Sequence, residues 1–207
     1  MGAPIQYVMF DLGVVLLHLD YAPAQAACIS QCDPERLAAG GKFLRLLGRT
    51  PIVDAYERGE LTAQQFFDHF VAATGFRGSL DEFIAIWRSI FRENTPMIEF
   101  AHRVSKRLPT FLMTNASDQH VPWVFDRYRS LNFFRDYAAS CYVGAAKPDP
   151  VYYQRALNKF GARAEVSLFV DDRPENIDAA QALGFRCVLY ENPEQAIGES
   201  LKILDFP

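Results

Sequence analysis

The chain has 207 residues, 50% hydrophobic and 22% charged, with a formal net charge of −4. That composition is globular, and a chain of this length buries roughly 70% of its unfolded surface, enough for one domain carrying an insertion. The mild acidity and the lack of any basic block exclude nucleic acid and anionic membrane surfaces as expected partners.

The first Lys or Arg is Arg36, so no positively charged n-region opens a signal peptide. The apolar run from Tyr7 is broken by Asp11 and His18 and is too short to span a bilayer. Cys28, Cys32, Cys141 and Cys187 form no disulfide pattern and read as free thiols, with Cys28 and Cys32 buried. A cytoplasmic location is expected.

The first predicted element is a strand over Tyr7–Phe10, running into Asp11 and then Leu12-Gly13. From about 20 to 92 the pattern is helix after helix with no strand. Thr50-Pro51 reads as an N-cap with proline at the first helical position. Thr62 with Gln65, and Ser79 with Glu82, have capping-box spacing. Leu80, Phe83, Ile84, Trp87, Ile90 and Phe91 fall on one helical face. Strands are then expected over Thr110–Met113, Tyr137–Val143, Ser167–Val170 and Phe185–Tyr190. Between them lie helical patterns at Met97–Lys106, Gln119–Arg129, Val151–Phe160 and Glu175–Leu183. Alternating apolar strands and helices indicate an α/β fold with a parallel sheet, its crossover helices on both faces.

Ligands of such sheets bind at the carboxyl ends of the strands. Three strands here end in polar residues: Asp11, Thr114-Asn115 and Asp171-Asp172. Taken singly, each is an ordinary turn or capping residue. Adjacent carboxylates such as Asp171-Asp172 repel unless a cation lies close. If the strand that ends in Asp11 is a neighbour, about 4.8 Å away, the three carboxylates describe a hard-cation site, Mg²⁺ first. Lys147 sits ahead of a proline-punctuated helix start in "KPDP".

Four segments in order, "VMFDLGVV", "FLMTN", "KPDP" and "LFVDDRPEN", give the chain a resemblance to the haloacid dehalogenase-like hydrolase superfamily. It is similar to the branch holding sugar-phosphate phosphatases and the phosphatase domain of epoxide hydrolases. The resemblance covers nearly the whole chain. It implies a Rossmann-like core over residues 1–19 and 93–207 with a helical cap over 20–92. It implies a Mg²⁺-dependent phosphatase acting on a small phosphorylated metabolite, as a monomer or homodimer. Asp11 would be the nucleophile that forms an aspartyl-phosphate. Asp11, the Gly13 carbonyl and Asp172 would hold Mg²⁺, with Asp171 and Asn176 supporting the metal. Thr114, Asn115 and backbone N–H groups of the turn at Leu12 and Gly13 would hold phosphate oxygens. Lys147 would bridge the phosphate and Asp11. Charges of this number are needed, because two like charges 4 Å apart repel by about 4 kcal/mol at an effective dielectric of 20.

The usual pattern in those phosphatases is Asp-x-Asp, the second Asp serving as general acid and base. Here that residue is Gly13. The loss removes an effect of about 10²–10⁴-fold, or roughly 3–5 kcal/mol. Three expectations follow: a substrate with a good leaving group or its own protons, a substitute such as His18 or Asp20, or a catalytically weak phosphate-binding protein. The rival activity is a metal-free 2-haloacid dehalogenase using the same Asp nucleophile. Its resembling members carry Ser and Asn where Asp171-Asp172 stand. In the cap, Glu57, Arg58 and Glu60 read as solvated charges. Arg45 and Arg49 could reach an anionic substrate, but basic residues on a polar helix face are usually just solvated. Phe43, Phe66, Phe67, Phe70, Phe83 and Phe91 read as core.

Overall fold

The structure is a computed structural model and describes residues 3–40 and 50–206. Phe43, Arg45 and Arg49 lie outside the described residues. A five-stranded parallel sheet has the order β5-β4-β1-β6-β7. Its strands are β1 (Tyr7–Phe10), β4 (Thr110–Thr114), β5 (Asp136–Ala139), β6 (Ser167–Asp171) and β7 (Arg186–Leu189). β1 is central because it pairs with β4 on one side and with β6 on the other.

Alternation along the strands builds two cores. Val8, Phe10, Leu112, Leu168 and Val170 enter one, while Met9, Phe111, Met113 and Phe169 enter the other. That is the period-two pattern of a sheet covered on both faces. α6 (Thr95–Ser105) and α11 (Pro193–Leu204) cover the first face through Phe100, Val104, Ala196 and Leu204. α9 (Pro150–Phe160) and α10 (Pro174–Ala182) cover the second through Tyr152, Tyr153, Ala156, Ile177 and Ala180.

Between β1 and β4 lies a helical segment: α1 (Tyr21–Ile29), α2 (Pro34–Gly40), α3 (Pro51–Glu57), α4 (Ala63–Thr74) and α5 (Leu80–Arg88). Thr50 caps α3 through the Val53 N–H, and both expected capping boxes form, Thr62 with Gln65 and Ser79 with Glu82. Phe66, Phe70, Phe76, Phe83 and Trp87 are buried together, and Cys28 and Cys32 are buried free thiols. Phe83 touches the rings of Phe66, Phe67, Phe70, Phe76 and Trp87.

The segment is not free of strands at its ends. β2 (Leu17–Leu19) pairs antiparallel with β3 (Phe91–Glu93), joining the two chain passages into and out of the helices. α5 therefore stops at Arg88, and Phe91 leaves the helical face for β3, where its pairing with Leu19 wins over periodicity. The strand expected over Tyr137–Val143 ends at Ala139. Ser140–Val143 instead form one helical turn, α8, closed by Gly144 at φ 67°. Ser140 anchors the turn: its buried hydroxyl accepts the Ala116 N–H and donates to the Glu57 carbonyl. α11 had no counterpart in the sequence pattern read above. α7 (Val121–Arg127) completes the set and follows β4.

Among the described residues, polar links tie the helical segment to loops at the ends of β4 and β5: Tyr56 Oη to Asp118, the Ser140 bond to Glu57, and the Arg88 guanidinium to Gln119. Phe83→Ala removes the hub of the aromatic cluster and is expected to cost about 3–5 kcal/mol. The denaturation midpoint in urea measures it, and Phe83→Leu should lose clearly less.

Candidate active site

Parallel register brings the strand-end groups level. Phe10 faces Val170 on β6 and Leu112 on β4, so Asp11 stands beside Asp171 on one side and Met113 on the other. The Asp11 N–H continues the ladder to the Val170 carbonyl. This is the point where the strand order reverses, since β4 and β5 build outward on one side of β1 and β6 and β7 on the other.

Lys147 closes the site from the loop between α8 and α9. Its ammonium donates to Asp11 Oδ1 at 2.8 Å, to Asp171 Oδ2 at 2.6 Å and to the Met113 carbonyl at 2.8 Å. All three protons are used, and its side chain is 1% exposed. Asn115 holds the loop in place: its amide donates to the Lys147 carbonyl and accepts the Lys147 N–H, both at 2.9 Å. Asp171 is fully buried. Its Oδ1 accepts the Arg173 N–H and the Asn176 amide, each at 2.9 Å. The Asn176 carbonyl in turn accepts the Tyr153 hydroxyl. Asp172 does not cap α10; the N-cap is Arg173.

Carboxylate oxygens of Asp11, Asp171 and Asp172 lie within 4.8 Å of one another. Burial pushes the Asp11 carboxyl up to about 7; Lys147 opposes this and Asp171 adds to it. Burial lowers the Lys147 ammonium, but attraction to Asp11 and Asp171 outweighs it, so the net direction is upward.

A cleft of about 170 Å³ opens over these groups. Asp11, Gly13, Thr114, Asn115, Lys147, Asp172 and Asn176 all line it, so the structure brings these expected site residues together. Asp171 stands behind them. Leu12 is buried, and its carbonyl accepts the Leu16 and Leu17 N–H groups. The chain turns sharply at Val14, whose φ of 63° is strained for a β-branched residue. The Val15 N–H closes this γ-turn on the Gly13 carbonyl at 2.7 Å, leaving that oxygen one further lone pair.

Two candidates are not brought in. His18 is exposed on β2, and Asp20 faces Arg92 at 3.9 Å; neither lines the cleft. Arg58 and Glu60 pair with each other at the surface. Glu57, expected to be solvated, instead lines the cleft, as do Tyr21, Val53 and Arg173. Burial pushes the Tyr21 hydroxyl up to about 12, with Glu57 and Asp172 adding to it. Tyr21 carried no local signal; its place follows from α1 beginning directly after β2.

A family model described as haloacid dehalogenase-like hydrolase matches residues 15–184. The chain belongs to this family of hydrolases. Among relatives, it is 25% identical over 230 residues to Acyl-CoA dehydrogenase family member 10 of Mus musculus, matching 100% of this chain and 20% of that protein. It is 26% identical over 135 residues to the sesquiterpene phosphatase astK of Aspergillus oryzae, matching 63% of this chain and 68% of that one. The chain thus spans only a fifth of the mouse protein's length. A HAD family enzyme from Bacteroides thetaiotaomicron has the same fold, with TM-score 0.80 and 23% identity over 91% of this chain and 95% of that one. That enzyme has also been solved with magnesium and inorganic phosphate, matching at TM-score 0.76 and 22% identity over 90% and 94% of the two chains. No described helix is long and apolar enough to cross a membrane.

The raised Asp11 carboxyl has a consequence for stability. Between about pH 4 and 7 native Asp11 keeps a proton that the unfolded chain gives up, so its contribution to stability falls as pH rises through that window. Without added metal, Asp11→Asn is expected to gain in melting temperature over the wild type from pH 4 to pH 8. A constant difference across that range would contradict this.

Proposed function

We propose that the protein is a Mg²⁺-dependent phosphomonoesterase acting on a small phosphorylated metabolite. The observation that carries the reading is the meeting of Asp11, Asp171 and Asp172 at the switch point of the sheet, with the Lys147 ammonium on the first two. Halide displacement by a carboxylate needs no such acidic cluster, whereas phosphoryl transfer needs cations to offset charge on nucleophile and phosphate.

The residues fit a hard divalent cation. Asp11, Asp172 and the Gly13 carbonyl offer oxygen to it. The Asn176 amide oxygen, in a residue 1% exposed that lines the cleft, has no hydrogen-bond partner among the described residues. Asp171 already accepts three hydrogen bonds, so it braces the site rather than facing the ion. Bound there, Mg²⁺ would supply Lewis-acid stabilisation of phosphate charge and hold Asp11 ionised.

Asp11 then attacks phosphorus, the ester P–O bond breaks with its electrons on the leaving oxygen, which takes a proton from water or from a hydroxyl of the substrate, and an aspartyl-phosphate forms. Water cleaves that acyl phosphate and returns the carboxylate. Lys147 offsets the charge of Asp11 and, through space, that of the phosphate. The Thr114 hydroxyl and backbone N–H groups at Leu12, Gly13 and Asn115 are the donors for the phosphate oxygens; the Asn115 side chain is engaged by the Lys147 backbone. Residues 20–92 act as a cap over residues 1–19 and 93–207. β2 and β3 lie where the two parts join, and closure over the cleft would exclude water.

Phosphate release from a panel of sugar phosphates and p-nitrophenyl phosphate tests this. Turnover is expected with Mg²⁺, to stop with EDTA, to return on adding Mg²⁺, and to fall to background in Asp11→Asn. EDTA-insensitive turnover, or chloride release from 2-chloropropionate, would overturn the reading.

A further inference from the structure

Beside the cleft over Asp11 lies a second, smaller cavity of about 70 Å³. The two spaces share walls, among them Gly13, Leu19, Tyr21 and Thr114. The residues that line only the inner cavity are Leu12, Trp87, Ile90, Phe91, Ala116 and His120. Apart from Trp87 and His120, none of these carries a polar side-chain atom.

Those two are the anomaly. Trp87 is 6% exposed and His120 is 5% exposed. Trp87 Nε1 and His120 Nε2 are buried with no hydrogen-bond partner among the described residues. The two rings stack, with centroids 5.7 Å apart and planes 18° from parallel. Phe91 meets the imidazole edge-on at 5.1 Å. The other imidazole nitrogen bonds the Trp87 backbone, so the tautomer assigned by that bond leaves Nε2 as a bare acceptor. Burial keeps the ring neutral by holding its pKa down to about 3. Two residues of the inner wall therefore carry an unmet donor and an unmet acceptor, beside the polar side chains of Tyr21, Glu57, Thr114 and Asn115 that both spaces share. A hydroxyl is the group that can accept from an indole N–H and donate to an imidazole nitrogen.

Gly13 stands where the spaces meet. A Cβ built there would face Leu19 Cδ1 at 3.5 Å, and Leu19 borders both cavities.

We propose that the inner cavity is the leaving-group subsite and that Trp87 and His120 recognise a hydroxyl on the leaving group. This rests on the phosphatase reading above and narrows its substrate class to monoesters of small hydroxylated molecules, as against plain alkyl phosphates.

The test compares glycerol 1-phosphate with propyl phosphate, which differ only in hydroxyls. The wild-type ratio of kcat/KM is expected to favour glycerol 1-phosphate by roughly tenfold or more. Trp87→Phe keeps a ring in the stack and removes the N–H, and should lower that ratio severalfold. A wild-type ratio near one, or a ratio unaltered in Trp87→Phe, would overturn the proposal. A second readout needs neither turnover nor a variant: the indole ¹⁵N–¹H resonance of Trp87 in wild-type protein with Mg²⁺ and inorganic phosphate, titrated with glycerol. A saturable shift supports the subsite. An unmoved resonance means that water alone fills the cavity, and sinks it. Failure of the phosphatase reading shows separately, as phosphate release that Asp11→Asn does not abolish. If neither ester is cleaved, the titration decides the subsite.

Discussion

The site depends on one ammonium held between two buried carboxylates. Lys147 reaches Asp11 on the central strand, Asp171 on β6 and the Met113 carbonyl on β4, so a single loop residue ties three strand ends together. Removing the Lys147 ammonium would leave Asp171 and Asp11 facing each other out of water, the kind of loss that costs about 3–5 kcal/mol. With all three of its protons engaged, the ammonium cannot drift between carboxylates, and Asp11 is held at the strand edge with one oxygen fixed. The Asn115 amide completes this from the neighbouring strand end by gripping both backbone groups of Lys147.

Behind that pair runs a chain of hydrogen bonds that passes no solvent. Tyr153 on α9 bonds the Asn176 carbonyl, and the Asn176 amide bonds Asp171. Tyr152, one residue earlier, reaches the Ala138 carbonyl on β5 at 2.6 Å. Both tyrosines are fully buried, and burial pushes both hydroxyls upward, so each is a donor at any ordinary pH. A helix on one face of the sheet is thereby locked to the ends of two strands. Asp171 and Lys147 are thus satisfied from below, while Asp172, Gly13 and Asn176 line the cleft above them.

Much of this was legible in the chain. Apolar runs ending in Asp11, Thr114 and Asp171 mark strands covered on both faces, and their polar last residues mark the reactive edge of the sheet. The helix starts at Thr50, Thr62 and Ser79 were legible because capping is a local interaction over three residues. What escaped was set at long range. Cys141, Tyr142 and Val143 have strand character, but the hydroxyl of Ser140 bonds groups at 57 and 116 and anchors the turn there. β2 and β3 are three residues each and exist through each other. Asn115 read as a ligand for phosphate, yet its side chain is committed to a loop 32 residues away. His18 and Asp20 lie close to Asp11 in sequence, but the turn at Val14 and the β2 pairing carry them off, while Tyr21 and Glu57 arrive instead.

Gly13 is where sequence and structure bear most directly on each other. Its backbone φ is not in the left-handed region, and a Cβ there would make only ordinary contact with Leu19. Neither strain nor crowding therefore requires glycine; the strain of this turn sits on Val14. The constraint comes from the other side. The Gly13 carbonyl is fixed by the Val15 N–H, and the residue borders both the cleft over Asp11 and the cavity at Trp87 and His120. A carboxylate there would place a further acidic group beside Asp11, Asp171 and Asp172 and take up room beside both spaces. On the phosphatase reading proposed above, glycine at this position exchanges a proton donor for room. On that reading the exchange suits a leaving group that carries hydroxyls of its own close to the departing oxygen.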